Sequence, residues 1–276
     1  MVIDIPVALP PPPTREATFV GAGDIADCLG ASEATALLLD RIGGWVFTLG
    51  DNVYPSATAH NFGKCYQPTW GRHLGRTYPS VGNHDEWNEN GSYLPYFDYF
   101  GPAAGLRGRG YYSFDLEGWH ILSLNSNVRA SPGSAQYAWV SRDLQTATGL
   151  CSLAYWHYPV FSSGGHGGIR DMREMWRLLD SAGVDIVLAA HDHNYERFAT
   201  QNADGRPDAD GIRQFVVGTG GAPLRRIASV QPNSEVRQTG THGVLKLTLR
   251  STSYDWEFVP VYGATFRDTG TGQCVR

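Results

Sequence analysis

Five short apolar runs in this chain each end on side chains that bind metals or move protons. Residues 17–23 run into Asp24, 44–50 into Asp51 and Asn52, and 78–82 into Asn83, His84 and Asp85. Residues 152–156 run into His157, and 184–190 into His191, Asp192 and His193. One Asp or Asn after a strand is ordinarily a turn former or helix cap, and one His a hydrogen-bonded structural residue. Five successive placements exceed what turn chemistry explains. With Tyr54, the candidate ligands are Asp24, Asp51, Tyr54, Asn83, His157, His191 and His193. Carboxylate, amide oxygen, phenolate and imidazole together suit iron, manganese or zinc better than calcium or copper. Seven ligands are too many for one catalytic ion that keeps an open position. They fit two ions sharing a bridging carboxylate. Such a pair, ~4 Å apart, clamps the attacking and leaving oxygens of a phosphoryl group and makes hydroxide available near neutral pH. His60, His73, His120 and His242 fall outside the pattern, with His120 expected to pack within a strand.

The elements that must position these residues are legible too. Each of the five runs is short, apolar or β-branched, and bounded by turn residues, as buried strands are. Helical spacing is predicted over 31–42, with Ser32 as its cap, over 135–146 and over 169–182. Gly149 and Gly183 follow the last two as stop signals. Strands alternating with helices indicate an α/β fold, whose ligands bind beyond the carboxyl ends of the strands. Five strands in one sheet would bring the polar groups to one edge. The C-terminal third reads differently, with strands over 213–218, 243–250 and 253–260 and few helices. Residues 111–125 read as a hairpin turning at Glu117-Gly118. A mixed sheet, or two packed sheets, is therefore expected rather than one parallel sheet.

Composition narrows the class. The chain has 276 residues, 42% of them hydrophobic, enough for one large core or two small ones. No repeat or composition shift divides it. We expect a proline-rich leader over 1–14, extended at residues 10–13, and a single domain over 15–276. A charged fraction of 18% is too low for a disordered chain. A net charge of −5 without a basic cluster disfavours binding to nucleic acid or an anionic membrane. No apolar run reaches the ~18 residues of a membrane span, and residues 1–9 do not look like a signal peptide. The four cysteines form no C-x-x-C pair, which argues against a zinc knuckle. They allow two disulfides in an oxidising compartment or four buried thiols. If paired, Cys28–Cys65 and Cys151–Cys274 are favoured. The first two follow ligand-bearing strand ends and so lie on neighbouring loops, and the last would tether the chain terminus.

The motifs Gly23-Asp24, Gly50-Asp51-Asn52-Val53-Tyr54, Gly82-Asn83-His84-Asp85, Trp156-His157 and Ala190-His191-Asp192-His193 stand in the order found in the metallophosphoesterase superfamily. Within it they resemble the purple acid phosphatases. The text at 193–197 and 254–258 is similar to that of secreted bacterial members. The resemblance implies a four-layer α/β/β/α sandwich, with two sheets face to face and helices outside. It implies that Asp51 bridges two ions. Asp24, Tyr54 and His193 would complete a ferric site. Asn83, His157 and His191 would complete a second, holding Fe(2+), Zn(2+) or Mn(2+). His84 would face the substrate, and His166, in the Gly-rich loop 162–168, resembles a second substrate-side histidine. The wider superfamily opens with Asp-x-His; here Ile25 and Ala26 follow Asp24, and Tyr54 takes the missing histidine's place, as in the purple enzymes. Three residues depart from the family pattern, Ala26, Ala154 and Ala190, and none removes a ligand. The implied activity is hydrolysis of a small-molecule phosphate ester, with monoesters leading. A phosphodiesterase acting on cyclic nucleotides or lipid head groups is the alternative, and a non-catalytic binding module is the reading from another class. Substrate choice would lie in loops 56–67, 86–106 and 126–132. The resemblance and the cysteines imply a secreted or periplasmic protein.

Overall fold

The computed structural model describes residues 16–86, 92–149 and 151–275. The leader expected over 1–14 lies outside them. The strands are β1 (Glu16–Ala22), β2 (Trp45–Thr48), β3 (Thr77–Tyr78), β4 (Tyr112–Leu116), β5 (Trp119–Ser123), β6 (Cys151–Tyr155) and β7 (Ile186–Ala189). They continue as β8 (Tyr195–Phe198), β9 (Arg213–Val217), β10 (Ser234–Gln238), β11 (Gly243–Arg250), β12 (Ser253–Pro260) and β13 (Thr269–Gln273). They form two sheets, ordered β13-β12-β11-β1-β2-β3 and β10-β8-β9-β7-β6-β5-β4. β1, β2 and β3 run parallel, as do β5, β6, β7 and β9, with antiparallel strands completing each sheet. The five ligand-bearing runs therefore do not share one sheet. Three belong to the first sheet and two to the second.

Strand alternation explains how the sheets stack. Successive side chains point to opposite faces. In β6, Leu153 and Tyr155 enter the core between the sheets, while Ala154 and the following Trp156 enter the outer core. Aromatic pairs close the inner core, among them Phe19 with Tyr155 at 6.0 Å and Tyr195 with Phe258 at 4.6 Å. Helices Ala135–Thr146 and Arg173–Ser181 cover the outer face of the second sheet through Val140, Leu144, Met175, Trp176 and Leu179. Helix Ser32–Leu39 packs beside β11 of the first sheet and buries Ala36 and Leu39. The architecture is the α/β sandwich expected. Burying each large apolar side chain contributes about 1.5–3 kcal/mol.

Local details follow sequence chemistry with some shifts. Helix Ala135–Thr146 starts where Ser134 Oγ accepts from the Tyr137 amide. The helix predicted over 31–42 is regular only over Ser32–Leu39; Ala31 holds the cap position without a side-chain bond, so Ser32 lies in the first turn and is no cap. The segment 169–182 begins as a 3-10 turn, Arg170–Met172, before the helix proper. Glu117 and Gly118 both adopt positive φ, the type I′ geometry of a two-residue hairpin. The run at 78–82 yields only a two-residue strand, because Pro79 has no N–H to extend the ladder.

The cysteines pair as Cys28–Cys65 and Cys151–Cys274, with sequence separations of 37 and 123. In the chain-entropy account, loops of those lengths contribute about 4 and 5 kcal/mol by restricting the unfolded chain. Among the described residues, no helix is long and apolar enough to cross a membrane.

Candidate metal centre

The sheets deliver the candidate ligands to one place from two directions. Beyond β1 and β2 the parallel pairing continues through the loops: Asp24 N donates to Gly50 O at 3.1 Å and Ile25 N to Asp51 O at 3.0 Å. Asp24 and Asp51 are thus held side by side. From the facing sheet, Trp156 N bonds Leu188 O and Ala190 N bonds His157 O, which brings His157 beside 191–193. Asp24, Asp51 and His191 all sit at positive φ, 56°, 50° and 66°. Such non-glycine conformations cost about 1–3 kcal/mol each and persist where the surroundings over-determine them, often at functional sites.

The predicted donor atoms converge. Tyr54 Oη lies 2.8 Å from Asp24 Oδ1, 2.9 Å from Asp51 Oδ2 and 3.3 Å from His193 Nε2, and its one hydrogen can be donated to either carboxylate. His193 Nε2 is 3.4 Å from Asp24 Oδ1. On the other side, His157 Nε2 lies 3.3 Å from Asp51 Oδ2, 3.0 Å from Asn83 Oδ1 and 3.2 Å from His191 Nδ1. Asp51, His157 and His191 each place a ligand atom within 4.8 Å of the others. Two imidazoles are oriented by backbone: His157 Nδ1 contacts Leu49 O at 2.7 Å and His193 Nδ1 contacts Pro223 O at 2.9 Å. That arrangement turns each Nε2 toward the cluster, as ligating histidines are commonly held. Asp24 Oδ2 is buried and has no hydrogen-bond partner among the described residues. This donor set fits two metal ions.

Burial opposes every charge here, and the neighbours decide the outcome. Burial raises the Asp24 carboxyl, but His193, with His157 and His191, outweighs it and holds the group well below the usual carboxylate range. Asp51 is likewise lowered despite burial, chiefly by His157. Burial lowers His157, yet Asp51 carries it up to about 9. His191, half-buried and beside His157, is pushed down to about 3, first by its burial and then by His157. Burial and then the two aspartates raise the Tyr54 hydroxyl. Cations binding to such groups release the protons they hold.

Around the cluster stand residues with other tasks. His84 Nδ1 contacts Pro55 O at 2.7 Å, its ring lies 4.4 Å from that of Tyr54, and its backbone N–H donates to Asp51 Oδ1 at 2.8 Å. His166 stacks on His191 at 4.3 Å, and its backbone N–H donates to Asp192 Oδ1 at 2.9 Å. His120, as expected, is buried in β5, bonded to Asp115 and Asp143. Sequence reasoning gave no separate role to Asp85, Asp192, Glu196 or Arg225. Asp85 accepts from Gly82 N, Asn52 N and Asn52 Nδ2, tying two ligand loops together. Burial and then Asp51 push its carboxyl up to about 7. Asp192 and Glu196 bind the Ser162 and Ser163 hydroxyls and so anchor the His166 loop. Polar types after strand ends were the available signal for Asp85 and Asp192, whereas Glu196 lies inside β8 and carried no such signal. Arg225 Nη1, 2.8 Å from His166 Nε2, lies on a loop with no such signal. Ala190, the departure at the last motif, is accommodated because its neighbour is Gly23; a Cβ there would lie 2.5 Å from Ala190 Cβ. Gly82 is equally constrained, since a Cβ would come 2.2 Å from Asp51 Oδ1.

Comparison with known proteins gives consistent matches. The family model described as calcineurin-like phosphoesterase matches residues 17–195. Purple acid phosphatase 18 of Arabidopsis thaliana is 30% identical over 233 residues, covering 76% of this chain and 51% of the relative. The chain spans about half the length of the curated relatives it matches first. Among solved structures, purple acid phosphatase PPD1 from yellow lupin (Lupinus luteus) superposes with a TM-score of 0.77 at 19% identity, over 94% of this chain and 54% of that one. GAP50, described as the anchor in the inner membrane complex of Plasmodium, superposes with a TM-score of 0.73 at 14% identity, over 94% and 89%. At these identities the two superpositions speak to fold alone.

Proposed function

This chain belongs to the calcineurin-like phosphoesterase family, and from that premise we propose that it is a dinuclear metal-dependent phosphomonoesterase of purple acid phosphatase type. Asp24, Asp51, Tyr54 and His193 would hold one ion, ferric iron. Asp51, Asn83, His157 and His191 would hold the other, ferrous iron, zinc or manganese. When bound, such ions polarise phosphoryl oxygens and lower the pKa of water toward neutrality. The observation that carries this reading is Asp24 Oδ2, buried without a partner among phenol, carboxylate and imidazole groups. A buried oxygen left unsatisfied costs about 1–3 kcal/mol, and a cation removes that cost.

The remaining work falls to the chain's own side chains. With His84 Nδ1 on Pro55 O, its Nε2 is the nitrogen on the cluster side, 4.0 Å from Asp51 Oδ2. From there it can give a proton to a departing alkoxide or stabilise the charge that develops on it. His166 stacks on His191 and accepts from Arg225 at Nε2, so it would hold the Arg225 guanidinium near the cluster as a second donor for phosphoryl oxygens. The proposal includes a single catalytic domain over 15–276, supported by the core that both sheets share. It includes export to an oxidising compartment, supported by the two disulfides.

Fold alone does not decide chemistry, so the test is chemical. Metal analysis of the purified protein is combined with a panel of aryl and alkyl monoesters and diesters. Two ions per chain and faster turnover of monoesters are expected. Faster diester turnover would overturn the substrate class, and a metal-replete chain inert on every ester would leave a binding module.

A further inference from the structure

We propose that a second anion-binding subsite adjoins the metal centre and selects organic phosphates whose leaving group carries a second phosphoryl group. The inference rests on the phosphoesterase reading above. A cavity of about 450 Å³ lies against the 162–168 loop, within the size range of small-molecule sites. His166 belongs to both regions: it lines the cavity and stacks on His191. One imidazole ring thus stands between the cavity and the candidate ligands.

Two of the residues that line the cavity keep donors without a hydrogen-bond partner among the described residues. Arg173, the first residue of helix Arg173–Ser181, lines it with its guanidinium 5.9 Å over the Phe161 ring. Its Nε is buried without a hydrogen-bond partner, and it forms no ion pair among the described residues. Gln201, 0% exposed, is the second donor. Its Oε1 accepts from Asn233 Nδ2 at 2.9 Å, which fixes the amide orientation, and Nε2 is left buried and unpartnered. The acidic lining residue, Asp204, pairs with Arg177 at 2.9 Å, a guanidinium it shares with Glu174. Arg225 adds positive charge at the shared wall through His166. Unpaired buried donors are costly, and a guanidinium matches phosphate oxygens in a two-point contact. A phosphoryl group has oxygens enough for Arg173 and Gln201 together.

The test compares fructose 1,6-bisphosphate, fructose 6-phosphate and p-nitrophenyl phosphate on the metal-replete full chain, wild type and Arg173→Gln. The bisphosphate should show a KM about tenfold below that of the monophosphate, equivalent to one good polar contact. Arg173→Gln should abolish that advantage and leave p-nitrophenyl phosphate within about twofold, which also controls for folding and metal content. Arg173→Lys should restore part of it. Equal KM values for the two sugar phosphates in the wild type, or equal losses on all three esters in the variant, would overturn the subsite. A wild type that hydrolyses none of them would sink the phosphoesterase reading instead. Calorimetric titration of the bisphosphate then reads the subsite alone: binding weakened about tenfold by Arg173→Gln supports it, and undiminished binding overturns it.

Discussion

Replacing His84 by asparagine removes an imidazole while sparing the contacts that hold the candidate metal ligands. The hydrogen bond to Asp51 Oδ1 comes from the His84 backbone N–H, at 2.8 Å, and survives any side-chain change. An asparagine amide can still donate toward Pro55 O, the present partner of Nδ1. The side chain is 25% exposed, and asparagine keeps a polar group in the place of Nδ1. Both ions and the fold should therefore be retained. What would disappear is the group proposed to protonate the leaving oxygen, a function ordinarily worth ~10²–10⁴ in rate, or about 2.7–5.4 kcal/mol of barrier. An alkyl phosphate should feel that loss in full. An aryl phosphate with a good leaving group should lose about tenfold or less, because its phenolate departs with little help. The assay is kcat for matched alkyl and aryl phosphates in wild type and His84→Asn, with metal content measured on the same samples. Equal losses on both esters would refute proton donation and favour charge stabilisation. Full activity on both, with metals intact, would remove His84 from the mechanism and leave His166 as the next candidate.

Asp51→Ala should lose both ions, since this carboxylate would serve each, whereas His157→Ala should lose mainly one; two ions and a near-normal rate in Asp51→Ala would defeat the bridging assignment. Tyr54→Phe should bleach the broad visible absorption expected of a phenolate on ferric iron, and an iron-loaded wild type without that band would contradict Tyr54 as a ligand. His120 provides a pH test away from the centre: Asp143 and then Asp115 raise its pKa against burial. A raised pKa means that its contribution is fully present below the unfolded value of about 6.5 and is lost as pH rises through the folded value. The stability gap between wild type and His120→Asn, about 1–2 kcal/mol given that Asp115 is exposed, should be widest near pH 6 and narrow above neutrality in urea titrations; a gap independent of pH would show that the protonated form adds nothing.

The candidate ligands were legible because they are local events: a short apolar strand, then a polar side chain at its end. The same holds for the hairpin turn at Glu117-Gly118, whose positive-φ pair is a property of two adjacent residues, and for helix Ala135–Thr146, which keeps its predicted bounds. The pairing of Cys28 with Cys65 could be anticipated because both follow ligand-bearing strand ends. Less visible was where each strand would dock. Nothing in the runs ending at Asp51 and His157 says that they join different sheets, because sheet membership is set by burial against distant partners such as β11 and β9. Asp85 illustrates the middle case: its type and place were plain, but its role in joining the loops after β2 and β3 needs Asn52, 33 residues away.

By itself, the sequence determined the donor types, their order and their attachment to strand ends, since residue identity and strand periodicity are carried in the chain's own text. Only the tertiary structure decided which strands join which of the two facing sheets, and so that Asp24 and Asp51 come from one against His157 and His191 from the other. It alone revealed Arg225 beside His166, and the cavity where Arg173 and Gln201 keep unpaired donors. Those depend on contacts between segments far apart in sequence, whose closure is governed by the packing of the whole core rather than by any local pattern.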